Sequence, residues 1–305
     1  MKIYYSIVGP TGVGKSNISL ELSEIIPLEI ISCDSRQIYR YMDIGTAKPS
    51  QKDLKRVKHH LIDIITPDKS YNAKQFSIDT ESIANDIENR GKIPLIVGGT
   101  GMYLNAFVYG MFDNTLIPKD LRNELREMST EDLYNKLKLL DNLAAIKLHK
   151  NDRYRVIRAL EVKITTGKSI YQLQEQNNPR FEMTYFYIIK DRGDLYKDIE
   201  KRVDNMIKRG LIDEINSLLN MGFNFDSYGL KTVGYKEFEN YFKGTERIED
   251  VINLIKKNSR NYAKRQFTWF NKQVKRGKHY IINLSEMNIE NTVSFISNII
   301  KKGTA

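Results

Sequence analysis

Along the first hundred residues the apolar positions fall in short blocks that alternate between two periods. Ile3-Tyr4-Tyr5-Ser6-Ile7-Val8 is an aromatic and β-branched run, the pattern of a buried strand. Ile18, Leu22, Ile25 and Ile26 then recur at helical spacing. Leu28-Glu29-Ile30-Ile31-Ser32-Cys33 predicts a second strand, and Leu61-Ile62-Asp63-Ile64, after His59 and His60, a short third. Ile93-Pro94-Leu95-Ile96-Val97 predicts another, ending in Gly98-Gly99-Thr100-Gly101 and a helical run through Met102, Leu104 and Phe107. Such βα alternation predicts an α/β fold, a parallel sheet flanked by helices.

From about Met111 to Thr184 only the helical period remains. Leu121, Leu125 and Met128 form one stripe and Leu133, Leu137 and Leu140 another, opened by the capping box Ser129-x-x-Asp132. A third helix, about 152 to 165, places Val156, Ile157, Leu160 and Ile164 on one side, with Arg155 and Arg158 pointing away. An inserted all-helical domain over 111–184, within a core built from 1–110 and 185–305, is therefore expected. After a loop around Asn177-Asn178-Pro179, Tyr185-Phe186-Tyr187-Ile188-Ile189 returns to the sheet. A long helix follows from Asp194 to Gly210 with Leu195, Ile199, Val203, Met206 and Ile207 inward. The final helix expected, about Thr245 to Phe270, turns Val251, Ile252, Ile255, Tyr262 and Gln266 inward and Lys257, Arg260 and Lys264 outward.

Candidate chemistry sits at the strand ends. Gly9-Pro10-Thr11-Gly12-Val13-Gly14-Lys15-Ser16 fits the phosphate-loop pattern G-x-x-x-x-G-K-[ST] between a strand and a helix. Its backbone N–H groups, the helix dipole and Lys15 suit a polyphosphate, with the Ser16 hydroxyl as a magnesium ligand. Asp34 falls just past the second strand, where open parallel sheets bind ligands; with Gln37 it also resembles a helix cap and its capping-box partner. Thr100 can face the same crevice or cap the next helix. Arg202, at the border of an apolar stripe, needs an anion: a bound diphosphate, or Glu200 or another carboxylate. The loop Asp43-Ile44-Gly45-Thr46-Ala47-Lys48-Pro49 is too long for a simple turn, and loops at such a mouth tend to carry function.

Charge adds a partner. The 305 residues carry a net charge of +10, and from Val251 to Ser285 there is no Asp or Glu beside nine Lys and Arg. Interleaved with Tyr262, Phe267, Trp269 and Phe270, that stretch suits RNA backbone and bases, the alternative being that most of these aromatics belong to the core. Cys33 is the single cysteine, which excludes an internal disulfide framework and a cysteine-rich zinc module and suits a reducing compartment. His59 and His60 lack a cysteine or acidic partner at ligand spacing and read as structural or supporting groups. No apolar run reaches the length of a membrane span, so a cytoplasmic protein with no membrane partner is expected, a monomer by default.

These segments together resemble the tRNA dimethylallyltransferases, also called tRNA isopentenyltransferases. The similar stretches are the phosphate loop, Asp34-Ser35-Arg36-Gln37-Ile38-Tyr39, Met42 to Pro49, His59-His60-Leu61-Ile62-Asp63 and Val97-Gly98-Gly99-Thr100-Gly101. Asn151-Asp152-Arg153 through Arg158-Ala159-Leu160-Glu161, Arg202-Val203-Asp204, Gly234-Tyr235-Lys236-Glu237 and Tyr262-Ala263-Lys264-Arg265-Gln266 complete the set, in order and across essentially the whole chain. Two departures, Arg36 where the family often has a smaller or apolar residue and Asn142 where proline is common, touch recognition rather than chemistry. The resemblance implies a P-loop NTPase-like sheet and magnesium-assisted transfer of a dimethylallyl group from dimethylallyl diphosphate to N6 of the adenosine immediately 3′ of the anticodon, in tRNAs reading codons that begin with U. It assigns Asp34 as general base, with Thr100, Lys15 and Arg202 also catalytic. It gives contacts with the tRNA to Asp34, Ser35, Arg36, Gln37, Thr100, Arg122, Tyr154, Arg155, Val156, Ile157 and Arg158, the helical insertion gripping the anticodon stem-loop. The rivals are a P-loop kinase acting on a small metabolite or nucleotide, a non-catalytic RNA-binding protein, and an enzyme prenylating free adenine nucleotides.

Overall fold

A computed structural model describes residues 1–111, 117–175 and 178–304, so Asn177 of the expected 177–179 loop lies outside the described residues. The chain divides into two compact units, one of Met1–Val108 with Phe181–Ala305 and one of Tyr109–Arg180.

In the first unit the strands are β1 (Ile3–Val8), β2 (Leu28–Cys33), β3 (His59–His60), β4 (Ile93–Gly98), β5 (Glu182–Ile189) and β6 (Lys278–Asn283). They form one all-parallel sheet in the order β3-β2-β4-β1-β5-β6. Its helices are α1 (Lys15–Ser23), α2 (Gln51–Arg56), α3 (Ala73–Asn89) and α4 (Gly101–Tyr109) before the helical unit. The helical unit, taken by itself, holds α5 (Lys119–Glu127), α6 (Thr130–Leu140), α7 (Asn142–Lys147), α8 (Arg153–Thr166) and α9 (Ile170–Glu175). The first unit then resumes with α10 (Arg192–Lys208), α11 (Leu211–Asn220), α12 (Glu239–Phe242), α13 (Ile248–Gln273) and α14 (Ile289–Thr304).

β1, β2 and β4 are buried along nearly their whole length, so they read as continuous apolar runs rather than alternating ones. Ile7, Ile30, Leu95, Phe186 and Ile188 pack against Ile18 and Leu22 of α1, Leu195 and Ile199 of α10, and Ile296 and Ile300 of α14. A second core gathers Ile38, Tyr39 and Met42 with Val203, Leu211, Ile215, Tyr235, Phe238, Val251 and Ile255. Each fully buried aliphatic or aromatic side chain of this kind contributes roughly 1.5–3 kcal/mol.

Several local expectations change. The short strand is His59–His60 itself; Leu61 and Asp63 take left-handed φ of 61° and 57°, which no strand accommodates. His60 Nε2 lies 2.7 Å from the buried Glu29, which also accepts from Arg90 (2.7 Å) and Lys92 (3.0 Å), so this histidine serves the fold. The helix expected to be last is followed by β6 and α14. Their signals were Tyr280-Ile281-Ile282 after Gly277, and Val293, Ile296 and Ile300 at helical spacing. In the helical unit Ser129 does cap α6, accepting from Asp132 N at 3.1 Å. Ile164 does not turn inward; it is 41% exposed.

Candidate active site

The sheet register builds the site. Val8 of β1 and Cys33 of β2 both pair with Gly98 of β4, so Gly9, Asp34 and Gly99 leave the sheet side by side at its carboxyl edge. β1 lies between β4 and β5, and the chain runs from it to β2 on one side and reaches β5 on the other; ligands bind at such a switch point.

The phosphate loop connects β1 to α1, where Gly14, left-handed at φ 102°, lets the chain enter the helix. Lys15 Nζ folds back onto the loop carbonyls of Gly9 (2.9 Å) and Pro10 (2.7 Å), leaving one of its three donors. Burial lowers its pKa to about 8; the Asp34 charge opposes that shift and Arg202 reinforces it. Ser16 is exposed in the first turn of α1.

Asp34 does not cap a helix. Residues 35–38 form turns, in which Asp34 Oδ1 accepts from Arg36 N at 2.9 Å. Nor does Gln37 reach back to close a capping box. It bridges Ser32 Oγ (3.1 Å) and the Ala47 carbonyl (3.2 Å). The Thr100 hydroxyl accepts from Ser35 N at 3.0 Å, tying the β4 junction to the β2 junction. Tyr262 of α13, which lines the same crevice as Asp34, has its phenol pushed up to about 12 by burial and by the Asp34 charge. Burial also pushes the Cys33 thiol up, which removes it as a nucleophile.

Arg202 of α10 is half-buried, and its Nη1 donates to Thr11 Oγ1 at 3.1 Å. Burial lowers its pKa, and Asp34 partly restores it. Glu200, the alternative partner expected from the sequence, pairs instead with Arg260. Among the described residues neither Lys15 nor Arg202 forms an ion pair.

Gln266 is the residue whose part in the site was not foreseen. Its Oε1 accepts from Thr11 N (2.8 Å) and its Nε2 donates to Gly99 O (2.9 Å), so one buried amide clamps the phosphate loop to the β4 junction. A Cβ on Gly99 would fall 2.3 Å from Nε2, hence glycine there. The sequence signals were its place at the end of the family-like stretch Tyr262-Ala263-Lys264-Arg265-Gln266 and an amide on the inner face of a basic segment of helix.

Lys15, Ser16, Asp34, Gln37, Arg202, Tyr262 and Gln266 are among the residues lining a crevice of about 630 Å³. A second cavity of about 260 Å³ shares Thr11, Asp34, Arg202, Met206 and Tyr262 with it and adds Arg36, Gly45, Thr46 and Arg265. Lys15, Arg202 and the Asp34 carboxylate thus face one space, which Lys208 and Arg209 also line.

The helical unit's candidates divide. Tyr154 and Arg155 of α8 are 80% and about 70% exposed, with Arg155 at 3.4 Å from Asp152. Arg122 and Arg158 do not point freely to solvent; each donates at 2.8 Å to Glu161, whose side chain is buried. Val156 is buried and Ile157 packs on the same core, so their side chains hold the helix rather than a partner. On α13, Arg260 and Lys256 are tied to Glu200 and Asp204 of α10, while Lys257 and Lys264 remain exposed.

A phosphate loop at the carboxyl edge of this sheet defines the P-loop NTPase-like class. A family model described as IPP transferase matches residues 37–273. The tRNA dimethylallyltransferase of Thermotoga maritima is 47% identical over 265 residues, 86% of this chain and 87% of that one. That of Thermosipho africanus is 44% identical over 302 residues, 97% and 98% of the two chains. Among solved structures, the tRNA isopentenylpyrophosphate transferase of Staphylococcus epidermidis matches with a TM-score of 0.74 at 34% identity over 99% of both chains. A eukaryotic dimethylallyltransferase acting on tRNA gives 0.87 at 27% identity, covering 99% of this chain and 80% of that one. This chain belongs to the IPP transferase family, and the kinase alternative finds no support among these relatives.

Proposed function

We propose that the protein transfers a dimethylallyl group from dimethylallyl diphosphate to N6 of the adenosine immediately 3′ of the anticodon in tRNAs reading codons that begin with U, releasing diphosphate. The observation that carries this reading is the shared crevice: Lys15 and Arg202, neither ion-paired among the described residues, beside the Asp34 carboxylate.

As the allylic C–O bond breaks, negative charge collects on the diphosphate, and the phosphate-loop N–H groups, Lys15 and Arg202 hold it. Asp34 takes the proton that the exocyclic amine loses as the C–N bond forms. Thr100 and Gln37 hold the turn that carries Asp34. A magnesium ion, when bound, adds neutralisation of the departing oxygens. Exposed Ser16 is the side chain that would hold it, and a hydroxyl beside diphosphate oxygens is a donor set that suits a hard cation. No group of three His, Cys, Asp or Glu among the described residues is placed to hold a metal; a magnesium ion held by Ser16 would take its other ligands from the diphosphate and water.

Turning the target base out of the anticodon loop costs a few kcal/mol, roughly, which other RNA contacts must offset. Ser35, Arg36 and Gln37 supply them at the crevice. Tyr154 and Arg155, with the donors of Arg122 and Arg158 that Glu161 does not take, supply them from the helical unit. No helix of the described residues is long and apolar enough to cross a membrane, and the reading places the protein with the tRNA pool in the cytoplasm, as a monomer. Incubation with labelled dimethylallyl diphosphate, magnesium and undermodified tRNA tests it: label on the tRNA is expected. Release of γ-phosphate from ATP with no label transfer would overturn it.

A further inference from the structure

Loop 43–49 carries no regular structure, and its first residues form a nest of backbone donors. Asp43 N, Ile44 N and Gly45 N converge at 2.8, 2.7 and 3.2 Å on one carboxylate, that of Glu214 in α11, and Tyr235 Oη donates to it at 2.6 Å. Nests of this kind usually hold a ligand anion; here a side chain of the chain itself occupies it. The Tyr235 ring lies so close over the loop that a Cβ on Gly45 would fall 2.4 Å from it. Lys48 pins the other end, donating to Tyr39 O and Asp43 at 2.6 Å each and to Asp63.

The loop needs such staples because its conformation is unfavourable by itself. Ala47 within the loop sits at φ 49°, and Tyr41, two residues before the loop, at φ 66°, a region that side chains with a Cβ rarely adopt and keep only when their surroundings impose it. The stapled segment also faces the reacting groups. Gly45 and Thr46 line the smaller cavity, Ala47 and Pro49 line the crevice, and the Ala47 carbonyl accepts from Gln37 of the Asp34 turn.

We infer that Glu214 is a positioning residue for the transfer reaction: by filling the 43–45 nest it fixes the wall of the crevice and, through Ala47 and Gln37, the turn that carries Asp34. This rests on the proposed function. The hydrogen bonds of Glu214 go to residues 43–45 and Tyr235 and not to the phosphate loop, so its loss should act on turnover and on use of the tRNA, and not on capture of the isoprenoid diphosphate.

The test is steady-state label transfer by the full chain with each substrate varied, alongside thermal melting. Glu214→Gln presents an amide to three N–H donors; it is expected to lower kcat on the order of 10- to 10²-fold while KM for dimethylallyl diphosphate stays within about twofold. Tyr235→Phe, which deletes one donor and keeps the three amide bonds, should lower kcat by less. An unchanged kcat in Glu214→Gln, with or without a lower Tm, would make the carboxylate a structural anchor only and overturn the inference. So would a raised KM for the diphosphate at unchanged kcat. Should Glu214→Gln fail to fold, Tyr235→Phe decides by the same criterion. A wild-type chain that transfers no label overturns the proposed function itself, whereas active wild type with equally active Glu214→Gln overturns this inference alone.

Discussion

Arg202 in the crevice and Arg158 in the helical unit are both partly withdrawn from water, yet they stand in opposite electrostatic situations. Arg158 shares the buried carboxylate of Glu161 with Arg122. Arg202 has a hydroxyl for a partner, and its pKa is lowered by burial. Withdrawing a charge from water without an opposite charge is costly, and a fold keeps such a residue only if something else recovers the loss. A carboxylate does so within the helical unit; in the crevice an anionic substrate would. Sequence alone grouped these arginines as anion-binding candidates, and the positions of the carboxylates separate them.

Four changes test that contrast. The largest effect is expected from Asp34→Asn, which leaves the cations in place and removes the proton acceptor: turnover falls roughly 10²- to 10⁴-fold with tRNA affinity nearly unchanged. A large loss of affinity instead would make the Asp34 turn a binding element. Arg202→Ala should slow turnover about 10²- to 10³-fold, as removal of a donor to a leaving-group oxygen does, without lowering Tm. A lower Tm at normal turnover would move Arg202 to the structural side of the comparison. Glu161→Ala should do the reverse, destabilising the helical unit by about 1.5–3 kcal/mol as two charge-assisted bonds are lost, which melting curves report. An unshifted melting curve would mean that the arginines do not depend on it.

The smallest effect concerns Lys15. Its ammonium is charged below about 8 and neutral above, so kcat/KM for the diphosphate, which reports the free enzyme, should fall about tenfold per pH unit above that value. The same profile in Lys15→Arg should stay flat to higher pH, since guanidinium keeps its charge. A wild-type profile flat to pH 9.5 would show that the crevice holds its lysine charged without help from substrate.

Much of the core was legible because its signals are local. The runs at β1, β2, β4 and β5 and the helical stripe of α1 announce themselves within a few residues, and the phosphate loop is a contiguous motif at a strand-to-helix junction. Thr100 and Asp34 could be placed at strand ends for the same reason. Where sequence reasoning slipped, long-range contacts had overridden the local pattern. Asp34 and Gln37 have the spacing of a capping box, but Gln37 is drawn away by Ser32 and Ala47. Leu61 to Ile64 has the composition of a strand, but left-handed Leu61 and Asp63 turn it back beside Gln37 and Ile38.

By itself, then, the sequence determined the class of fold and the family, since each rests on residues close together in the chain or on motifs in a set order. Pairing was decided by the tertiary structure alone. That Glu161 neutralises Arg122, that Arg202 is left to Thr11, that Gln266 bridges Thr11 to Gly99 and that Glu214 fills the nest at 43–45 all join residues between 39 and 255 positions apart. No periodicity encodes such partners. A charge can be read from one residue, but whether it is compensated depends on what the fold packs against it.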